Sequence, residues 1–499
     1  MRRRDFLGAA GGALAAMSLP RTARAAWGDA PASAASTLLQ PGTRAERCLE
    51  LFLYGGLATY ESFYVAPDYG RADDANAAWR NTQWHLFEDE HAEVFSDCGF
   101  GPESGWLTPF APDANGTTVH LGPMVRAFAQ RPDLLARMRI VVLRHDLAPH
   151  EAAIPLATTG LRLGNPRMAG LGTHVQRYHV DRDTTGRTLP YSYVLAPTGD
   201  DPTFNVGTAI AVGQHPGYAR PLQLATSSNM VLTELLGRGR VGDDAARVDP
   251  LLNHYLASSL SRYTDPLTGA ALRAKRLDDH AYALSSLIHA PDLAALLGGD
   301  LFTATSSRTC GSQNNADASA MSVRAAVSLL THPTTPARYV DVVDGGALGH
   351  VALAYDTHGT HLRTHTENQH HLLSTLAERI NLPGEGDPTK LDLYDTLIVI
   401  NAEFGRTPYA QGPGGTNHHP YGYVAVLLGG PVEPGVYGAI GPDGNAEVWA
   451  TPAELKASCL AALGMYPFSA EGFAVGDLQS AYTELDGLEF LHQALLGRV

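Results

Sequence analysis

Carboxylates and imidazoles gather at four places in this chain of 499 residues. In the first, an apolar run of strand length, Thr396 to Asn401, is followed by Glu403. About fifteen residues later a glycine-rich loop, Gly412 to Gly415, leads to Asn417, His418 and His419. A buried strand that ends beside a carboxylate and an imidazole pair is one way in which α/β proteins hold a metal at the carboxyl edge of a sheet. Arg406 follows within reach of an oxyanion, or of a neighbouring carboxylate as an ion pair. The second place is Tyr355-Asp356-Thr357-His358-Gly359-Thr360-His361. Asp356 and His358 precede a helical stretch and can converge on one cation, whereas His361 and His365 share a face at four-residue spacing. Six His fall between His350 and His371, out of 21 in the chain. That density marks a site in which one or two of them ligate metal and the others back them or cover the helix surface.

The third place, Arg144-His145-Asp146-Leu147-Ala148-Pro149-His150-Glu151, leads from a strand into a helix. It sets His150 in the first turn, where free N–H groups and the positive dipole end suit a phosphate or sulfate group. An imidazole of ordinary pKa, about 6.5, also suits acid–base work; simple capping by His150 and Glu151 is the competing reading. The fourth is Gly55-Gly56-Leu57-Ala58-Thr59-Tyr60-Glu61, a tight turn after a strand that can bring Glu61 back as a metal ligand.

The elements that must position these residues read as alternating strands and helices. Strands are expected over Cys48–Tyr54, Arg139–Arg144, Tyr193–Ala196, Tyr339–Val343, Thr396–Asn401 and Tyr423–Leu428. Helical periodicity runs through Met124–Arg137, Glu151–Thr159, Met168–Tyr178, Ser319–Leu330, His361–Ile380 and Pro452–Leu463. Alternation of this kind predicts an α/β fold with a mostly parallel central sheet sandwiched by helices. Asp249–Leu297 reads as a helical insertion, and Asp68–Gly116, with little periodicity, as an ordered loop or cap.

Arg2-Arg3-Arg4-Asp5-Phe6-Leu7, a mildly apolar Ala/Gly stretch and Ala23-Arg24-Ala25 have the pattern of a twin-arginine export signal over residues 1–25. The expected partner during export is the twin-arginine translocase, and the expected location periplasmic or secreted. Residues 26–499 then form one domain. Losing five Arg and one Asp with the signal takes the formal net charge from −15 to −19, which argues against nucleic acid or an anionic membrane as partner. No later apolar run reaches the roughly 20 residues of a membrane span. Cys48, Cys98, Cys310 and Cys459 are too widely spaced for a zinc knuckle, and an oxidising compartment permits a disulfide among them. A serine-hydrolase elbow, a phosphate-binding loop ending in Lys-Ser or Lys-Thr, and the Cys contexts of formylglycine sulfatases and Cys phosphatases are all missing from the sequence.

Several of these motifs together carry a resemblance. Gly55-Gly56 after a strand, His150-Glu151-Ala152-Ala153 with Thr159-Gly160, Asn165-Pro166-Arg167-Met168-Ala169-Gly170, Asp356-Thr357-His358, Glu403-Phe404-Gly405-Arg406-Thr407-Pro408 and the His418 loop occur in the expected order. The chain resembles the domain-of-unknown-function 1501 family, a branch of the alkaline-phosphatase-like (sulfatase-like) superfamily. That resemblance implies two divalent cations, zinc, manganese, calcium or magnesium, beside a nucleophile at a helix N-terminus, and hydrolysis of a small anionic phosphate or sulfate ester. Carried over, Asp356, His358 or His361, and His418 share one metal, and Glu61 and Glu403 serve the other. His150, at the position of the superfamily's nucleophilic Ser, and Arg406 face the anion, with His150 as nucleophile, acid–base group or ligand. Phosphatases of the superfamily have Asp at the place of Glu61 and an Asp-His pair at the place of Glu403-Phe404. A non-catalytic periplasmic binding or assembly protein on the same scaffold is therefore the alternative to a hydrolase.

Overall fold

The computed structural model describes residues 26–183, 190–196, 220–225, 318–346 and 354–498, with isolated positions between 206 and 296. The export-signal segment, Cys310 and nearly all of the expected helical insertion lie outside the described residues. A central sheet of eight strands comprises β1 (Arg47–Leu53), β2 (Met138–Leu143), β3 (Ser192–Ala196), β4 (Leu222–Ala225), β5 (Tyr339–Asp344), β6 (Thr396–Asn401), β7 (Tyr423–Gly429) and β8 (Gly435–Tyr437). Its order is β8-β2-β7-β6-β1-β5-β3-β4. Only β7 is reversed: it is antiparallel to β2 and β6, and every other pairing is parallel. The six expected strands are present within a residue or two of their bounds. Short β4 and β8 at the two sheet edges have too few residues for a pattern to stand out.

Parallel strands need helical crossovers, so both faces are covered and the strands read as unbroken apolar runs. Every residue of β5, β6 and β7 is buried. The described helices that matter here are α1 (Glu88–Asp97), α2 (His150–Thr159), α3 (Leu171–Val180), α4 (Ala318–Thr331), α5 (His361–Glu378) and α6 (Pro452–Ala462). On one face α4 and α5 supply Val323, Ala326, Leu372 and Leu376 to a core with Val340, Val342 and Ile398. Leu171 and Val175 of α3 and Leu460 and Cys459 of α6 pack with Cys48, Val399 and Leu427 on the other. Thr451 and Glu454 form a capping box at the start of α6, whose first residue, Pro452, lacks an N–H that would otherwise be unpaired there. Lys456 of α6 forms a fully buried ion pair with Glu50 of β1, and Tyr339 donates to Glu50 Oε2 at 2.8 Å. The free thiols of Cys48 and Cys459 are buried here, whereas Cys98 is in a disulfide.

Two expectations change. The helix expected over Met124–Arg137 is broken into short turns at Arg126–Ala129 and Pro132–Leu135, because Pro132 can open a helical turn but not continue one. The expected loop over 68–116 contains α1, whose His91, Val94 and Phe95 turn inward to a satellite core with Trp84, Phe100 and Trp106. It also holds one strand of the hairpin Thr108–Pro112 with Thr118–Leu121.

The turn after β1 tolerates no side chain. Gly55 has φ of +109°, and a Cβ there would lie 2.1 Å from the backbone N of Asp356. Gly55→Ala is expected to cost about 3 kcal/mol through strain and overpacking combined. At Gly42, φ +87° with open space around the missing Cβ, the same substitution should cost only about 1 kcal/mol. Thermal unfolding of the two variants checks this, and equal losses would contradict the close approach.

Candidate metal centre

The sheet delivers its chemistry to one edge. There, β1 runs into Gly55, β2 into the His145–His150 connection, β6 into Glu403, and β5 precedes the segment that returns at Asp356. Because β7 is reversed it starts at this edge, so His418 and His419 just before it arrive from the opposite chain direction. A two-residue ladder pairs His418 with Arg406 and His419 with Gly405. Successive ladder residues point to opposite sides. His418 turns toward Asp356, while His419 donates from Nε2 to the Gly444 carbonyl at 2.9 Å.

Four side chains converge on the Asp356 carboxylate. Oδ1 lies 3.1 Å from His418 Nε2, 3.0 Å from His358 Nε2 and 2.9 Å from Arg406 Nη1, and Oδ2 lies 3.3 Å from His150 Nε2. His150, Asp356 and His418 form the one group of three such ligand types among the described residues whose candidate atoms all lie within 4.8 Å of one another. His358 stands on the solvent side, with its side chain 44 % exposed.

The far nitrogens explain why the near ones matter. His418 Nδ1 faces the Ala148 carbonyl at 2.8 Å, and His358 Nδ1 faces Gln411 Oε1 at 2.7 Å. His150 Nδ1 faces Glu403 Oε1 at 2.8 Å, an oxygen that also accepts the Gly55 N–H at 2.9 Å. A carbonyl or carboxylate oxygen can only accept, so each imidazole carries its proton on Nδ1 and, when neutral, aims an Nε2 lone pair at Asp356. This is how an acceptor behind a histidine orients it for a metal. His150 Nε2 and Glu403 Oε2 are buried without a hydrogen-bond partner, since the 3.3 Å approach of His150 to Asp356 is not aligned as one. The donor set of imidazole nitrogen and carboxylate oxygen suits zinc and similar divalent ions. Aromatic walls hold the rings: Phe404 stacks on His418 at 4.3 Å between centroids, and Tyr54 stacks on His150 at 5.5 Å.

Without a cation, protons must do its work. Burial alone would lower the pKa of His150, but the closeness of the Asp356 carboxylate and the hydrogen bond to Glu403, with the attraction of both charges, outweigh burial and push it up to about 9. Burial likewise raises Asp356, and His150, His418 and Arg406 overcome it, holding the carboxyl far below the usual range.

Sequence and structure place the candidate residues differently in detail. Asp356, His358 and His418, which the family resemblance grouped, meet, and His150, expected to face the anion, is among them. Glu403 is fully buried behind His150. Arg406, 1 % exposed, gives Nη1 to Asp356 and the Gly55 carbonyl, Nε to Thr416 Oγ1 and Nη2 to the Thr416 carbonyl, so it orients Asp356. Glu61 and His361 fall outside the three-residue group and contact each other, Oε1 to Nε2 at 3.4 Å. His365, fully buried beside Thr357, has its pKa held well below the ordinary value by burial. Ala148, Gln411 and Tyr54 were missed; a main-chain acceptor, an amide in a distant loop and a stacking ring leave no pattern in a sequence.

The family model described as protein of unknown function (DUF1501) matches residues 45–470. No curated protein and no solved structure matches the chain.

Glu403→Gln keeps the shape and removes the charge behind His150. It should weaken binding of zinc by about 10- to 100-fold in a chelator competition, and an unchanged affinity would remove Glu403 from the site. In chelator-treated protein, the stability that His150 gains from Asp356 and Glu403 is complete below its unfolded pKa of about 6.5 and is lost as pH rises through about 9. The difference in melting temperature between wild type and His150→Gln should therefore shrink over that interval; a constant difference would contradict it.

Proposed function

The chain belongs to the DUF1501 family, and we propose that it is an exported, metal-dependent hydrolase-like protein that acts on a small phosphate or sulfate ester. The observation that carries this reading is the convergence of three Nε2 atoms on Asp356 with every Nδ1 committed to an acceptor. His150, Asp356 and His418 would hold the cation, with His358 on the open side. A divalent ion bound there supplies a Lewis acid for an ester oxygen and lowers the pKa of a bound water toward 7.

The residues around it perform the rest. Arg406 neutralises Asp356 and fixes its orientation, so the carboxylate adds little net negative charge to repel an anionic ester. Glu403 holds the Nδ1 proton of His150 and so keeps Nε2 available as a donor of electrons. Phe404 and Tyr54 shield the imidazoles from water on the sheet side. The order of the motifs along the chain and their arrival at the carboxyl edge support an alkaline-phosphatase-like ancestry. The twin-arginine pattern and the disulfide at Cys98 support export to an oxidising compartment, periplasmic or extracellular.

Phe404 favours a second reading. Its ring packs on His418, whereas the resemblance to alkaline-phosphatase-like phosphatases implies an imidazole ligand at that position of the sequence and a second metal; among the described residues there is one three-residue group. A binding or assembly protein with a single bound cation accounts for both features.

Metal analysis of the mature protein, with assays on aryl phosphates, phosphodiesters and aryl sulfates, separates the readings. The hydrolase reading expects about one equivalent of divalent metal per chain and hydrolysis of one ester class, both lost in His418→Ala and the metal retained in His365→Ala. Bound metal with no hydrolysis of any of the three leaves the binding reading; absence of metal sinks both.

A further inference from the structure

A cavity of about 470 Å³ opens beside the metal centre, between the end of β2, α2 and the start of α6. This volume is in the range of small-molecule sites. Its charges are unevenly satisfied. Asp146 is ion-paired with Arg162, and Asp477 forms two hydrogen bonds with Arg167, 2.7 and 2.9 Å. Arg144 has no such partner among the described residues: Nη1 donates to the Ala446 carbonyl at 3.1 Å, and the guanidinium lies 4.7 Å from the centre of the Trp449 ring. Most of its N–H donors are uncommitted. Trp449 and Tyr421, the latter 43 % exposed, give the cavity aromatic surface, and Leu156 and Leu161 add aliphatic surface.

His145 separates this cavity from the metal centre. Its Nε2 donates to the main-chain carbonyl of Glu403 at 2.7 Å, and its Nδ1 accepts the Leu147 N–H at 3.1 Å. Burial pushes its pKa down to about 4, so it adds no charge to the cavity. Arg144 is thus the one cationic group of the lining that no carboxylate satisfies.

We propose that this cavity binds a small organic carboxylate, whose two oxygens take the guanidinium of Arg144 while its apolar body rests against Trp449, Leu156 and Leu161. A planar two-oxygen group matches the donor fork of Arg, and the aromatic and aliphatic walls remove the rest of the ligand from water. The site requires no metal at Asp356, so it stands or falls apart from the hydrolase reading.

Benzoate is the probe, titrated by calorimetry into mature protein with and without chelator. Saturable binding is expected in both forms, weaker for acetate, which has no ring. Arg144→Gln should lose about tenfold or more in affinity, and Arg144→Lys, which keeps the charge without the fork, should fall between. Absence of saturable binding overturns the proposal, as does binding that disappears with chelator and ignores Arg144→Gln, since it then belongs to the metal centre. Should Arg144→Gln fail to fold, Trp449→Leu decides: weaker benzoate binding upholds the site and unchanged binding overturns it.

Discussion

A carboxylate faced by three imidazole lone pairs is a poor arrangement by itself, and the region around Asp356 is built to impose it. The Ala148 carbonyl, Gln411 and Glu403 each take the Nδ1 proton of one histidine, so the opposite nitrogens converge on Asp356. Acceptors that face acceptors in a partly buried site need a cation or extra protons between them. The raised pKa of His150 is the proton solution, and a divalent ion is the other. Both depend on the same geometry, so anything that rotates one of these rings disturbs either state.

That geometry follows from the sheet. Reversal of β7 brings His418 to the edge where β1, β2 and β6 end, so residues 150, 356 and 418 meet although they are far apart in sequence. The Gly55 turn brings β1 against the backbone of Asp356, and the Arg406 guanidinium bridges Gly55, Asp356 and Thr416. Much of the burial near the site therefore serves to align one carboxylate. Phe404 fits the same logic: its flat ring stacks on His418 and holds that imidazole in place.

Strands with unbroken apolar runs, such as Thr396–Asn401, were legible because burial on both faces leaves a compositional mark, and with them the α/β architecture. Asp356, His358 and His418 were legible as candidates because the side chains able to ligate a metal are few in kind. The division of labour was not. Glu403 and His150 each read as a first-contact group, yet the carboxylate backs the imidazole, a relation that depends on β6 and α2 being neighbours in space. Arg406 read equally as an anion-binding group or as the partner of a carboxylate, and the second holds: Asp356, Gly55 and Thr416, from separate segments, take its donors. His418 and His419 were equivalent as letters; only the ladder with Gly405–Arg406 turns one in and the other away.

The most direct measurement is the anomalous difference map of a crystal of mature protein grown with zinc. One ion within about 2.0–2.2 Å of Nε2 of His150, Nε2 of His418 and an oxygen of Asp356 is the result this account predicts. An ion held instead by Glu61 and His361, or an Asp356 cluster that stays without metal while zinc binds elsewhere, would contradict it.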